Sequence, residues 1–302
     1  MGATFPLLMT KTAALLGLCS FPPSGADVTC AVSGGPDSLA LLVLAVEAGC
    51  RVTAIHVDHG IRPGSADEAD VVGSAAARFG AQFRAERIDV EPGPNLEARL
   101  RAARYAVLPP DVLTGHTADD LGETVLLNLL RGAGSTGLAG MRSVRKPLLR
   151  LRRSQTESLC RDLGLDPVRD PSNLSPEFRR NRVRNELIPL ANDIAQRDVV
   201  PLLARSADLL RDDDELLDAL AAELDPTDAR ALARAPRPLA TRAVRRWLAQ
   251  FLGGYAPDRS CVDRVLEVAT GTASGCEIGG GLSVRRSGQR LSVLTITPPT
   301  TR

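Results

Sequence analysis

The chain has 302 residues, 44% hydrophobic and 24% charged, with 37 Lys and Arg against 36 Asp and Glu. This is a soluble globular composition, long enough for two ordinary domains, and no apolar run approaches the roughly 20 residues needed to span a bilayer. Six cysteines, at 19, 30, 50, 160, 261 and 276, show no C-x-x-C pair and no metal-ligand spacing, which excludes a disulfide framework and fits a reducing, cytoplasmic compartment.

TAALLGLC (12–19) reads as a short leading helix, because too little positive charge precedes it for a signal peptide. From there VTCAV (28–32), RVTAIHV (51–57), FRAERID (83–89) and DVLTG (111–115) read as strands, alternating with helical patterns over 38–48, 65–79, 95–107 and 118–131. Strict alternation predicts an α/β fold, a doubly wound and mainly parallel sheet whose ligands bind beyond the carboxyl ends of the strands. KPLL (146–149) is expected as a short fifth strand. Beyond Leu151 the periodicity is helical, over 154–164, 177–190, 199–222, 239–252 and 259–269, and the glycine-punctuated EIGGGLSVRRSGQRLSVL (277–294) predicts a hairpin. The chain therefore divides at about residue 190 into a sheet domain, 1–190, and a smaller, mostly helical domain, 191–302.

The first β-to-α junction is AVSGGPDSLALL (31–42). Ser33, Gly34 and Gly35 can turn the backbone so that successive N–H groups face one point, Pro36 suits the first helical turn, and Asp37 and Ser38 follow. An anion there would meet the amides and the positive end of the helix dipole together. The lysine and spacing of G-x-x-x-x-G-K-S/T are missing, so the loop is not built to transfer a γ-phosphoryl group. S-G-G-x-D-S after a strand instead resembles the PP-loop of the ATP pyrophosphatases, enzymes that cleave ATP between its α- and β-phosphates. A carboxylate, Asp37, beside phosphates implies an intervening cation, Mg²⁺ or a cationic substrate.

The three histidines all fall at predicted strand ends: His56 and His59 in HVDHG, His116 in TGHTADD. His56, Asp58 and His59 converge too poorly for zinc, so Asp58, His59 and His116 are placed along a nucleotide and substrate crevice. Asp119, Asp120 and Glu123 open a helix, where acidic side chains suit the dipole in any case. Asp119 and Glu123, four apart, also share a face that can meet a cation or an ammonium group. In EARLRAARYAVL (97–108), Arg101 and Arg104 flank Tyr105 at helical spacing; an inward-facing arginine would reach phosphates, an outward-facing one is an ordinary charged face.

From Arg142 to Arg184 twelve Lys and Arg stand against five Asp and Glu, a surplus of seven in a chain whose net charge is +1. Such local asymmetry suits a polyanion. Arg180 and Arg184, four apart, share one helical face, and RAVRRWL (242–248) adds Arg245 close to Trp247, whose spacing from Val244 suits a core more than base stacking.

Taken together, VSGGPDSLALL, HVDHGIRPGSADEA, ARLRAARYAVL, TGHTADDLGETVLLNLLRGAGSTGLAGM, KPLL, DPSNLSPEFRRNRVRNELIPL and RPLATRAVRRWLA resemble, in that order, the signatures of the tRNA(Ile)-lysidine synthetase family, in its short form. The resemblance is strong over 28–190 and weak elsewhere. It implies a ligase that uses ATP to adenylate the wobble cytidine of an isoleucine tRNA with a CAU anticodon and replaces AMP by L-lysine, changing codon reading from AUG to AUA. Carried over, Ser33, Gly34, Gly35, Pro36, Asp37, Ser38, His59, Arg104 and His116 hold ATP, and Asp37 and Asp120 hold Mg²⁺. Asp58, Asp119 and Glu123 bind lysine, with Asp37, Asp119 and Glu123 as the catalytic carboxylates. Arg150, Arg180, Arg184 and Arg245 meet the tRNA. Residues 1–190 become the catalytic domain and 191–302 the tRNA-recognition or linker domain. A 2-thiocytidine synthetase of the same superfamily is the rival, disfavoured by the missing C-x-x-C. No membrane partner is expected, and a homodimer stays open.

Overall fold

The computed structural model describes residues 11–58, 60, 65–91, 93, 96–168 and 175–296. It divides into two compact units at Asp208 and Leu209. In the first, helix α1 (described over 11–16) leads into β1 (Asp27–Ala31), α2 (Pro36–Glu47), β2 (Arg51–Asp58), α3 (Ser65–Arg78), β3 (Gln82–Arg87), α4 (Leu96–Val107), β4 (Leu113–Thr114), α5 (Ala118–Leu130) and the short α6 (Ser135–Leu138). The four strands are parallel in the order β3-β2-β1-β4. The chain steps outward from β1 to β3, then returns to lay β4 against the other side of β1. That reversal makes the junction of β1 and β4 the topological switch point of a doubly wound sheet, where a crevice opens beyond the strand ends.

Both sheet faces are covered. Val28, Cys30, Val52 and Ala54 join α2 in the main core, whereas Ile55 and Val57 pack with Ile88, Leu108 and Val112 in another. Strands buried on both faces explain why VTCAV and RVTAIHV lack a clean polar alternation. Helix α2 is apolar all round, with Leu39, Leu41, Leu42 and Leu44 wholly buried, because α7 (Arg153–Asp162) packs against it as well.

KPLL is not a strand. It forms a turn in which the amides of Leu149 and Leu151 donate back to the carbonyls of Lys146 and Leu148, at 3.2 and 2.9 Å. Leu148 and Leu151 are nevertheless fully buried; the apolar run signalled burial, and Pro147 has no N–H for a ladder. The helix expected over 177–190 is divided into α8 (Arg179–Arg182), a π-helical turn (Val183–Leu187) and α9 (Ile188–Ala195). Pro189 lacks the N–H that would bond the carbonyl of Asn185, which favours a wider turn there.

Helix α10 (Val200–Ala222) runs across the division between the units. The second unit continues with α11 (Ala229–Arg234), α12 (Arg237–Ala249), α13 (Arg259–Thr270) and strands β5 (Gly275–Gly279), β6 (Leu282–Ser287) and β7 (Arg290–Thr295). The expected hairpin is thus a three-stranded antiparallel meander, because glycines with positive φ make two turns, at 279–281 and at 288. Trp247 belongs to this unit's core with Val244, Leu248 and Val265, edge-on to Phe251 at 6.1 Å between ring centroids. Among the described residues no helix is long and apolar enough to cross a membrane.

Candidate active site

The first β-to-α junction lies at the switch point. Gly34 has φ +82°, and a Cβ there would meet the Val168 side chain at 2.9 Å, so the turn needs glycine. Ser38 ties the loop internally: its hydroxyl donates to the Gly35 carbonyl at 2.8 Å and accepts from the Ser33 amide at 3.1 Å. The Ser33 amide is therefore turned inward. The amides of Gly34, Gly35 and Asp37 take no partner among the described residues, and together with the start of α2 they form a cup of free donors of the kind that suits an anion, with Pro36 at the first helical position. Gly115, just beyond β4, permits the close approach that completes the wall: a Cβ would sit 2.6 Å from the Asp37 carbonyl oxygen.

Helix α5 begins beside that loop. Asp120 Oδ2 caps it, accepting from the Thr117 amide at 2.8 Å, while the Ala118 amide donates to the Leu151 carbonyl at 2.8 Å. That bond, with buried Leu148 and Leu151, sets Arg152 and Arg153 over the acidic turn. Arg153 reaches Asp37 Oδ2 at 3.2 Å, Asp120 Oδ1 at 2.9 Å and Glu123 Oε1 at 3.4 Å. Arg152 grips both oxygens of Asp119, at 3.1 and 2.9 Å, and also bonds Asp198; the Arg153 amide adds a bond to Asp119 at 2.7 Å. From α8 and the π turn, Arg180 and Arg184 converge on Glu123, each with one contact at 2.6 Å. Asp37 is held from its other side by the Thr156 hydroxyl. Four carboxylates thus face four guanidiniums across the mouth of the amide cup.

Burial is the largest influence on Asp37 and raises its carboxyl above the ordinary value of 3.8, against the pull of Thr156 and Arg153. Burial pushes Asp119 and Asp120 upward too, but hydrogen bonds from Arg152 and the Arg153 amide hold Asp119 below the usual range, and the Arg153 and Arg180 charges do so for Asp120. His116, bonded to Thr114 Oγ1 at 2.8 Å, is pushed by burial, reinforced by Lys146, Arg180 and Arg101, down to about 4, so its imidazole is neutral at pH 7. For Asp37 the raised value means that its stabilising contribution is complete below pH 3.8 and is lost as pH rises through the folded pKa. Asp37→Asn, which mimics the protonated carboxyl, should gain stability relative to the unsubstituted protein as pH is raised from about 4 to 7. Urea midpoints across that range test this, and a difference flat in pH would return Asp37 to an ordinary carboxylate.

Two family matches bear on this arrangement. One, described as a PP-loop domain, covers residues 10–191, and the other, described as a TilS substrate binding domain, covers 228–292. The tRNA(Ile)-lysidine synthase of Nocardia farcinica is 44% identical over 281 residues, spanning 86% of this chain and 87% of that one. That of Rhodococcus erythropolis is 39% identical, spanning 91% and 92%. This chain belongs to the tRNA(Ile)-lysidine synthase family. Among solved structures a U34-tRNA thiolase from Methanococcus maripaludis, with its iron–sulfur cluster, shares 17% identity at a TM-score of 0.54, over 68% of this chain and 80% of that one. It shows the lysidine synthase sheet to be of the same fold and no more.

In this lysidine synthase family member the structure joins Asp37, Asp119, Asp120 and Glu123 with Arg180 and Arg184 in one site. Asp58 closes the exit of β2, accepting from the Gly60 amide at 2.8 Å. His59 lies outside the described residues. His56 is buried, its Nδ1–H donating to the Val32 carbonyl at 3.0 Å just before the amide cup. Arg101 and Arg104 both stack over Tyr105, at 5.1 and 5.3 Å; the buried Nε of Arg104 has no partner among the described residues, and the Arg101 charge helps to keep the His116 imidazole neutral. Arg150 and Arg245 are exposed. Sequence reasoning counted Arg152 and Arg153 only as part of a basic stretch and passed over Thr156. A signal was present: two arginines stand immediately before the helix predicted over 154–164, where the dipole disfavours cations unless acids meet them.

Proposed function

We propose that this ATP-using ligase works at the switch point as follows. The amides of Gly34, Gly35 and Asp37, with Pro36 and Ser38 shaping the turn, receive the phosphates of ATP. The C2 oxygen of the wobble cytidine attacks the α-phosphorus and pyrophosphate leaves. The ε-amine of L-lysine then attacks C2, and AMP departs with the oxygen. Neutral His116 and Arg104 line the nucleotide side, and His59 is assigned there by motif.

Asp37 is the base that takes the proton from the lysine amine, and its raised pKa supports this, since the best base lies closer to working pH. Asp58, Asp119 and Glu123 are proposed to receive the ammonium group; Glu123 can do so only by exchanging a guanidinium, because Arg153, Arg180 and Arg184 already hold it. Asp37 and Asp120 offer Mg²⁺ two oxygen ligands of suitable chemistry, held on neighbouring nitrogens of the one Arg153 guanidinium, and Mg²⁺ completes such sites with water and phosphate oxygens. When bound it would neutralise charge on the departing pyrophosphate.

Exposed Arg150 and Arg245, with Arg180 and Arg184 at the site's edge, are assigned to the tRNA. We read 1–190 as the catalytic domain, 191–302 as the tRNA-recognition domain, and the cytoplasm as the compartment. Chain association, a homodimer included, is read by light scattering.

The observation that carries this reading is the amide cup facing a four-carboxylate cluster across the switch point. Purified protein given ATP, Mg²⁺, tRNA(Ile) and isotopic lysine should release pyrophosphate and AMP and transfer label to the tRNA. Release of orthophosphate and ADP, or pyrophosphate release indifferent to lysine, would sink it.

A further inference from the structure

Arg153 is placed where a cation is intrinsically unfavourable, at the first position of α7. Its side chain is only 20% exposed, and its guanidinium bridges carboxylates from two elements, Asp37 beside the amide cup and Asp120 and Glu123 of α5. Arg180 and Arg184 touch only the α5 acids. Among the described residues Arg153 alone connects them to Asp37, and Thr156, one turn along the same helix, holds Asp37 from the other side. With Asp198, which shares Arg152, five carboxylates meet four guanidiniums in the cluster. A divalent cation added to it would leave an excess of one positive charge unless a guanidinium withdrew or a polyanion entered.

We propose that Arg153 is a positioning residue that acts as a tethered cation: it holds Asp37 and Asp120 on neighbouring nitrogens of one guanidinium, keeps them aligned, and is exchanged for the divalent cation. This rests on the reading of Asp37 and Asp120 as the metal-binding carboxylates. Arg153 therefore sets the metal affinity of the nucleotide-free protein, because its occupancy leaves only a minority of molecules open to the ion. The withdrawn guanidinium, planar and permanently charged, is suited to the phosphates that arrive with the metal.

The test is calorimetric titration of the full-length, nucleotide-free chain with Mg²⁺ alone. Arg153→Met, which keeps an aliphatic stem and removes the charge, should bind Mg²⁺ about tenfold more tightly, whereas a residue that merely scaffolds the site would bind it more weakly when replaced. Arg153→Lys, which keeps one charge but cannot bridge both acids, should fall between, and it carries the test alone if the methionine variant does not fold. Unchanged or weaker Mg²⁺ binding by a folded variant overturns the proposal. Asp37→Ala serves as the control: if it binds Mg²⁺ as well as the unsubstituted chain, the metal assignment itself fails and takes the proposal with it.

Discussion

Replacing Asp37 by alanine is expected to lower lysine-dependent pyrophosphate release by about a hundred- to ten-thousand-fold, the range over which a positioned acid–base group contributes. Asp37 is the one carboxylate that belongs both to the amide cup and to the acidic cluster, and burial raises its pKa in the direction a base requires. The fold should survive. Without Asp37, Arg153 keeps Asp120 and Glu123, and the turn keeps the Ser38 hydrogen bonds to Ser33 and Gly35. Circular dichroism should therefore be unchanged while turnover collapses. Retained turnover would remove Asp37 from the chemistry.

The double replacement Arg180→Ala with Arg184→Ala is expected to destabilise the protein by about 3–5 kcal/mol, the loss associated with stripping partners from a buried ion pair. Glu123 is wholly inaccessible to solvent, and these two arginines make its three shortest contacts, at 2.6, 2.6 and 3.2 Å. What would remain is Arg153 at 3.4 Å. Adding Glu123→Gln should recover part of the loss by removing the stranded charge. Two arginines on a solvated helical face would instead cost well under about 1 kcal/mol each, so urea denaturation separates the alternatives. A small loss would return Arg180 and Arg184 to the protein surface.

The parallel sheet was legible because strand and helix periods alternate through residues 28–131, and the amide cup because Ser33, Gly34, Gly35 and Pro36 are local conformational instructions. KPLL misled because an apolar run reports burial in a turn as readily as in a strand, and Leu148 and Leu151 are buried without pairing. The second glycine turn, at Gly288 in SGQR, makes a meander of the expected hairpin because its positive φ reverses the chain once more.

The basic stretch taught most. Twelve cations against five acids between 142 and 184 look like a surface for a polyanion, yet Arg152, Arg153, Arg180 and Arg184 are turned to Asp37, Asp119, Asp120 and Glu123. The amino-acid order by itself determined the period of each element, the conformation of the first loop and the acids that open α5, because these depend on residues within one or two turns. Only the tertiary structure decided which charges meet. Arg153 lies 116 residues from Asp37 in the chain, and the cost of leaving either charge buried alone couples them across that separation once α2 and α7 are packed together.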